Sequence, residues 1–314
     1  MAAKKVFLLM CHWMGDTFWA MQVIPEVKKL YPDAELWAGV KPFSKDLLYD
    51  LIDDNKIIIL QNITSDRHRE RFSFSAYFNE LRRVRTDKFD LAIDLTLNRY
   101  SAIFLALAGI KQKTGLDVHN FSFLYNKKGT RFDNNRHLSE RPWETLKVID
   151  PKIQKPEWPF SPKSPVNRNE LENKTGINLH EKIALLSPGA GWQEKQWPLE
   201  AFAACGNFLI DNGYKIIISG TEKERPLCEQ LNTMLNKKGF VFIEKLSCFI
   251  SLIPYIKLAI TNDSGPAHLL AASGTKTIVL FLTTDKNRCC PIGKNTIIIN
   301  KDEALPELVI NKYL

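Results

Sequence analysis

Lys5-Val6-Phe7-Leu8-Leu9-Met10-Cys11 is an apolar run of strand length, and after it Phe18, Met21, Ile24, Val27 and Leu30 recur at a steady three-residue spacing across Asp16 to Leu30. The run reads as a strand buried on both faces of a parallel sheet, and the spacing as one amphipathic helix. Together they predict a β-loop-α unit, and the rest of the chain repeats it. Glu35 to Val40, Lys56 to Leu60 and Phe89 to Leu95 read as further strands, with helical segments near Phe43 to Leu51, Ala76 to Val84 and Ser101 to Ala108. This alternation is that of a doubly wound α/β sheet. Prolines 151, 156, 159, 162 and 165, with Trp158 among them, are too dense for a helix or an inner strand and mark a linker.

Beyond the linker the alternation restarts. Strands are expected at Lys182 to Ser187, Tyr214 to Ser219, Phe240 to Glu244, Leu258 to Thr261 and Lys276 to Leu282. Helices are expected at Leu199 to Asn212, Glu222 to Lys237, Cys248 to Ile256 and Gly265 to Ala272. A length of 314 residues suits two domains, and the boundaries expected are 1–160 and 161–314.

Composition narrows the classes. No apolar run reaches the roughly 20 residues that span a bilayer, and the short N-terminal run lacks a small-residue cleavage site, so it reads as a strand and the protein as cytoplasmic. The six cysteines show no Cys-x-x-Cys spacing, which argues against a zinc site or a disulfide frame; the vicinal pair Cys289-Cys290 reads as partly buried thiols. The formal charge of +8 is unevenly spread: Arg67 to Arg136 holds 14 Lys and Arg against 7 Asp and Glu, whereas Met1 to Asp66 holds 7 against 9. That segment favours an anionic partner: a phosphate, an acidic sugar or an anionic lipid face.

In open parallel sheets, ligands bind beyond the carboxyl ends of the strands, where loops feed helix N-termini. Four such loops carry unusual residues. Met14-Gly15-Asp16-Thr17 puts a carboxylate at a helix start, where capping is the plain reading. Ser187-Pro188-Gly189-Ala190-Gly191 runs on to Lys195-Gln196-Trp197-Pro198; small residues admit a phosphate and Lys195 supplies a point charge, although a turn with a solvated lysine reads equally well. After Ser219-Gly220, Glu224 suits either a ribose diol or simply the dipole of the next helix. Thr261-Asn262-Asp263-Ser264-Gly265-Pro266-Ala267-His268 is the most informative: a cap explains Asp263 or Ser264 but not the whole octet.

These four motifs, in this order, resemble glycosyltransferase family 9, the ADP-heptose:lipopolysaccharide heptosyltransferases. The resemblance rests on Gly15-Asp16 with Tyr31-Pro32-Asp33-Ala34, on Ser187-Pro188-Gly189-Ala190 with Lys195-Gln196-Trp197-Pro198, on Gly220 with Glu224, and on Asp263 to Leu269. It implies the GT-B architecture, two Rossmann-like domains facing each other across a cleft, the first receiving the acceptor and the second the nucleotide sugar. It implies an inverting, metal-independent transfer of heptose from ADP-heptose to an acidic lipopolysaccharide core acceptor, without a cofactor. Asp16 would be the general base. Lys195 would neutralise the diphosphate, Glu224 would bind the ribose, and Ser187, Gly189, Ala190, Asp263, Ser264, Gly265 and His268 would surround the donor.

The basic runs then have a candidate purpose. Arg67, Arg69 and Arg71 are expected to hold the acidic, lipid-linked saccharide acceptor, with Arg82-Arg83-Val84-Arg85 and Asn126 to Arg131 in the same half. The same face would allow peripheral contact with the anionic inner membrane. A GT-B transferase or epimerase using a different nucleotide sugar, and a non-catalytic protein binding nucleotide or nucleic acid, are the alternatives. Nucleic acid is disfavoured, because the aromatics are not interleaved with the basic runs.

Overall fold

The computed structural model describes residues 3–63 and 73–314. The chain forms two compact units, Met1–Glu157 and Trp158–Leu314. In the first, the order is β1 (Lys5–Met10), α1 (Met14–Met21), α2 (Ile24–Leu30), β2 (Glu35–Val40), β3 (Ile57–Ile59), α3 (Phe74–Thr86), β4 (Leu91–Asp94), α4 (Arg99–Leu107), β5 (Gln112–Gly115), β6 (Lys127–Lys128) and α5 (Arg141–Lys147). The six strands are all parallel, in the order β3-β2-β1-β4-β5-β6.

β1 is central, which is why every residue after Lys5 is buried. Phe7, Leu9 and Cys11 share a cluster with Val84 of α3 and Phe104 and Leu105 of α4, while the alternate residues Val6, Leu8 and Met10 are equally buried on the opposite face.

The single helix expected over Asp16 to Leu30 is two. Gln22 and Val23 donate to Trp19 and Ala20, a three-residue closure that tightens the end of α1, and Pro25 occupies the first turn of α2. A proline at 25 has no N–H for the carbonyl of Met21, and its ring would collide with that carbonyl in a continuous helix. The segment expected as a helix over Phe43 to Leu51 is a 3-10 run, Pro42–Leu48.

The second unit comprises α6 (Arg168–Thr175), β7 (Ile183–Ser187), α7 (Leu199–Asp211), β8 (Lys215–Ser219), α8 (Arg225–Met234), β9 (Gly239–Phe242), α9 (Leu246–Leu252), β10 (Ile256–Asn262), α10 (Gly265–Ala272), β11 (Lys276–Phe281), α11 (Lys286–Cys289), β12 (Thr296–Asn300) and α12 (Pro306–Tyr313). Its strands run β12-β11-β10-β7-β8-β9, again all parallel. Leu186, Ile218, Ile260 and Leu280 pack with Phe202 of α7 and Leu231 of α8 on one face, and Val279 and Phe281 pack with Ala267 of α10 on the other.

Read from the strand that follows each crossover, both sheets have the 3-2-1-4-5-6 order of a dinucleotide-binding fold, with helices covering both faces. The winding reverses between β1 and β4 in the first unit and between β7 and β10 in the second; in open parallel sheets, such reversals are where ligands bind, beyond the carboxyl ends of the strands. No helix among the described residues is long and apolar enough to cross a membrane.

Candidate active site

In the second unit, the loops leaving β7 and β10 are tied to each other. Asn262, fully buried at the end of β10, accepts from the backbone N–H of Trp197 at 3.0 Å and donates from Nδ2 to the carbonyl of Pro188 at 2.8 Å. One side chain thus holds both ends of the 188–197 loop. Beside it, Lys195 Nζ donates to Asp263 Oδ2 at 2.6 Å, with side chains only 12% and 6% exposed. Thr284, from the loop after β11, donates to the same oxygen at 2.6 Å. Lys195 also lies 4.6 Å from the centroid of the half-exposed Trp192 ring. The lysine of this loop is therefore clamped, not solvated.

Asp263 and Ser264 do not act as caps. Ser264 is the N-cap residue of α10 by position, but its hydroxyl pairs with Thr261 Oγ1 at 3.2 Å and accepts nothing from the helix. With Pro266 in the first turn, the start of α10 presents uncapped backbone beside a held cation, which is a place for an anion. His268 is buried one turn further along, and Ser187 is buried at the end of β7. Next to them the β8 loop brings in Glu224, whose Oε2 accepts from both the N–H and the hydroxyl of Thr221, at 2.8 and 2.9 Å, closing a capping box. Its other oxygen lies against Gly189, where a Cβ would overlap the carboxylate. A glycine at 189 lets the β7 and β8 loops approach to contact; Ala190 follows it, partly exposed.

The first unit has the same kind of tie, made differently. Asp94, fully buried at the end of β4, accepts from the N–H groups of Thr96 and Leu97 through Oδ1, and from Ser101 Oγ and Tyr125 OH through Oδ2. Burial outweighs these four bonds and holds its carboxyl above the usual range. The turn it organises places Leu97 at φ 54° and fixes Thr96. Thr96 Oγ1 takes the N–H of Cys11 at 2.8 Å and donates to Leu9 O at 3.1 Å, and its carbonyl meets His12 Nε2 at 2.8 Å. His12 Nδ1 then lies 3.4 Å from Asp16 Oδ2.

Asp16 is not an N-cap. The cap position belongs to Trp13, no side chain caps the helix, and Asp16 sits in its first turn with a carboxylate 37% exposed. A half-exposed carboxylate free of backbone bonds is available to accept a proton.

The structure groups Ser187, Gly189, Lys195, Glu224, Asp263, Ser264 and His268 around the carboxyl ends of the second sheet, and sets Asp16 at those of the first. Arg67, Arg69 and Arg71 lie outside the described residues. Arg82, Arg83 and Arg85 occupy the last turns of α3, which leads into the amino end of β4, so this cluster stands at the opposite edge of the sheet from Asp16. Lys127, Lys128 and Arg131 are exposed at and beyond β6. Cys289 and Cys290 pack against Ala267, Val279 and Phe281, and burial lifts the Cys289 thiol to about 11. Among the described residues, no group of three or more His, Cys, Asp and Glu side chains is placed to hold a metal.

The fold is that of a GT-B glycosyltransferase. An Escherichia coli ADP-heptose lipopolysaccharide heptosyltransferase II superposes with a TM-score of 0.80 at 19% identity, covering 98% of this chain and 96% of its own. An E. coli heptosyltransferase WaaC, solved with ADP, gives 0.77 at 17% identity and covers 98% of both. Among relatives in sequence, the E. coli lipopolysaccharide heptosyltransferase 3 is 26% identical over 297 residues, 90% of this chain and 85% of that one. The model of glycosyltransferase family 9 (heptosyltransferase) matches residues 78–314, and the chain belongs to that family.

Proposed function

We propose that the protein moves heptose from ADP-heptose to an acidic lipopolysaccharide core acceptor, in one displacement that inverts the anomeric centre and requires no metal. The reading rests on Asp16: a carboxylate at the first switch point, partly exposed and bound to no backbone N–H, is what an incoming hydroxyl needs as its base. As the acceptor oxygen attacks, its proton passes to Asp16 and the C1–O bond of the donor breaks with its electron pair on the diphosphate. Lys195 and the uncapped start of α10 stabilise that charge. Asp263 positions Lys195, whose ammonium has three N–H bonds and spends one on the carboxylate, while Glu224 offers the oxygen not taken by Thr221 to the ribose diol. Ser187, Gly189, Ala190, Ser264, Gly265 and His268 line the donor, Arg67, Arg69 and Arg71 hold the acceptor's acidic groups, and the protein works in the cytoplasm at the anionic membrane surface.

The test is transfer by the purified chain from ADP-heptose, UDP-sugars and GDP-sugars to a heptose-deficient core lipid, with and without EDTA. Chelator-resistant transfer from ADP-heptose alone, giving the inverted anomer by NMR, is the expected result. Preference for a UDP- or GDP-sugar, or a retained configuration, would overturn it.

A further inference from the structure

His12 is four residues before Asp16 and belongs to none of the motifs that carry the family resemblance, yet it is the side chain that touches the Asp16 carboxylate. Its surroundings fix its chemistry. A backbone carbonyl only accepts, so the 2.8 Å contact between His12 Nε2 and Thr96 O requires the hydrogen on Nε2. In the neutral ring, Nδ1 is then bare and turned toward Asp16 Oδ2 at 3.4 Å. That separation is one that closes to a hydrogen bond when a proton arrives between the two atoms. The orientation is imposed from below: Asp94 locks the turn that carries Thr96, and Thr96 is bonded to Leu9 of β1 and to Cys11 just beyond it.

We infer that His12 is a positioning residue that acts through Asp16, steering its carboxylate toward the acceptor and taking over the proton that it collects; this rests on the reading of Asp16 as the base. In the step, the acceptor O–H bond breaks as its oxygen bonds to C1, the proton goes to Asp16, and the carboxyl passes it to Nδ1. The resulting imidazolium is held between the restored Asp16 carboxylate and the Thr96 carbonyl. His12, with its side chain 32% exposed, returns the proton to solvent before the next turnover. The logic is that of a base supported by a third group with a fixed tautomer.

Two substitutions separate this role from that of a loop strut. Glutamine places an amide N–H where Nε2 stands, keeping the Thr96 bond while removing the group that faces Asp16; asparagine does the reverse. His12→Gln, His12→Asn and Asp16→Asn are compared with wild type for kcat, donor KM and thermal midpoint in heptosyl transfer to a core lipid. The expected result is a kcat loss on the order of tenfold for His12→Gln, at unchanged donor KM and midpoint, beside a loss of ~100-fold or more for Asp16→Asn. Wild-type kcat in His12→Gln with a collapsed Asp16→Asn overturns the role of His12 and leaves the base standing. Wild-type kcat in Asp16→Asn overturns both. Independently of turnover or of how the variants fold, 15N NMR of the wild-type ring should show hydrogen on Nε2 and a bare Nδ1; the opposite tautomer sinks the inference.

Discussion

The two sheets share one strand order and differ in how their switch points are tied. In the second unit, the loops after β7 and β10 are joined by Asn262 and by the buried Lys195–Asp263 pair, and the β8 loop presses on them through Glu224 and Gly189. In the first, the tie runs through Thr96 to a single half-exposed histidine and carboxylate. On the proposed reading, the difference fits two tasks. A diphosphate nucleotide is the same at every turnover and rewards a rigid cradle, whereas a base must change protonation state and keep access to water. It also sets where stability resides, because a clamped ion pair cannot lose one member as harmlessly as an open carboxylate can.

The largest effect should therefore separate Lys195 from Asp16. Removing Lys195 strands a carboxylate that is 6% exposed, with Thr284 its one remaining side-chain donor among the described residues, so Lys195→Ala should lower stability in urea by about 3 kcal/mol, where Asp16→Asn changes it by less than about 0.5 kcal/mol. It should also weaken ADP binding far more than adenosine binding, measured by calorimetry. Equal losses in the two variants would erase the contrast between the switch points.

Gly189→Ala comes next. Its Cβ must push aside the end of the flexible Glu224 side chain and with it the capping bonds to Thr221, a cost of about 0.5–1 kcal/mol. Glu224→Ala should relieve much of that cost, so a double-mutant cycle on the pair should be strongly non-additive. Additive losses would mean that the two loops do not meet.

Asp94 sharpens the first unit's side. Its folded pKa is raised by burial, so its contribution to stability is present below the unfolded value of about 3.9 and is lost as pH rises through the folded one. The stability gap between wild type and Asp94→Asn, followed by urea denaturation from about pH 4 to about pH 7, should move against the wild type as pH rises. A gap constant with pH would place no titration there. The smallest effect is expected at Cys289: a thiol lifted to about 11 is almost wholly protonated at neutral pH, so iodoacetamide should label it slowly in the native protein, and Cys289→Ser should change ADP affinity by less than about twofold.

The alternating architecture was legible because central parallel strands are buried on both faces and read as apolar runs; β1, β7, β10 and β11 are of this kind. The edge strand β6, Lys127–Lys128, and its short neighbour β5, Gln112–Gly115, have no such run and passed unread, as did the edge strand β12 with its Ile-rich core. Pro25 was visible, yet the apolar spacing continues across it and hid the break between α1 and α2. Site residues that sit in short motifs at strand ends could be found one loop at a time. Those that act across loops could not: Asp94, Thr96, Asn262 and Thr284 take their meaning from partners up to 87 positions away. His12 carried a faint signal in its four-residue spacing from Asp16.

Asn262 has a consequence for timing. Because its amide already fastens Pro188 and Trp197, both ends of the loop proposed to face the nucleotide are fixed when the chain folds, which leaves little ordering for the encounter. Association should then run at the pace of electrostatically guided diffusion, with a single fast phase in stopped flow that slows with added salt and shows no plateau at high nucleotide concentration. Asn262→Ala hands that ordering step back to the ligand, and a saturating, concentration-independent phase should emerge.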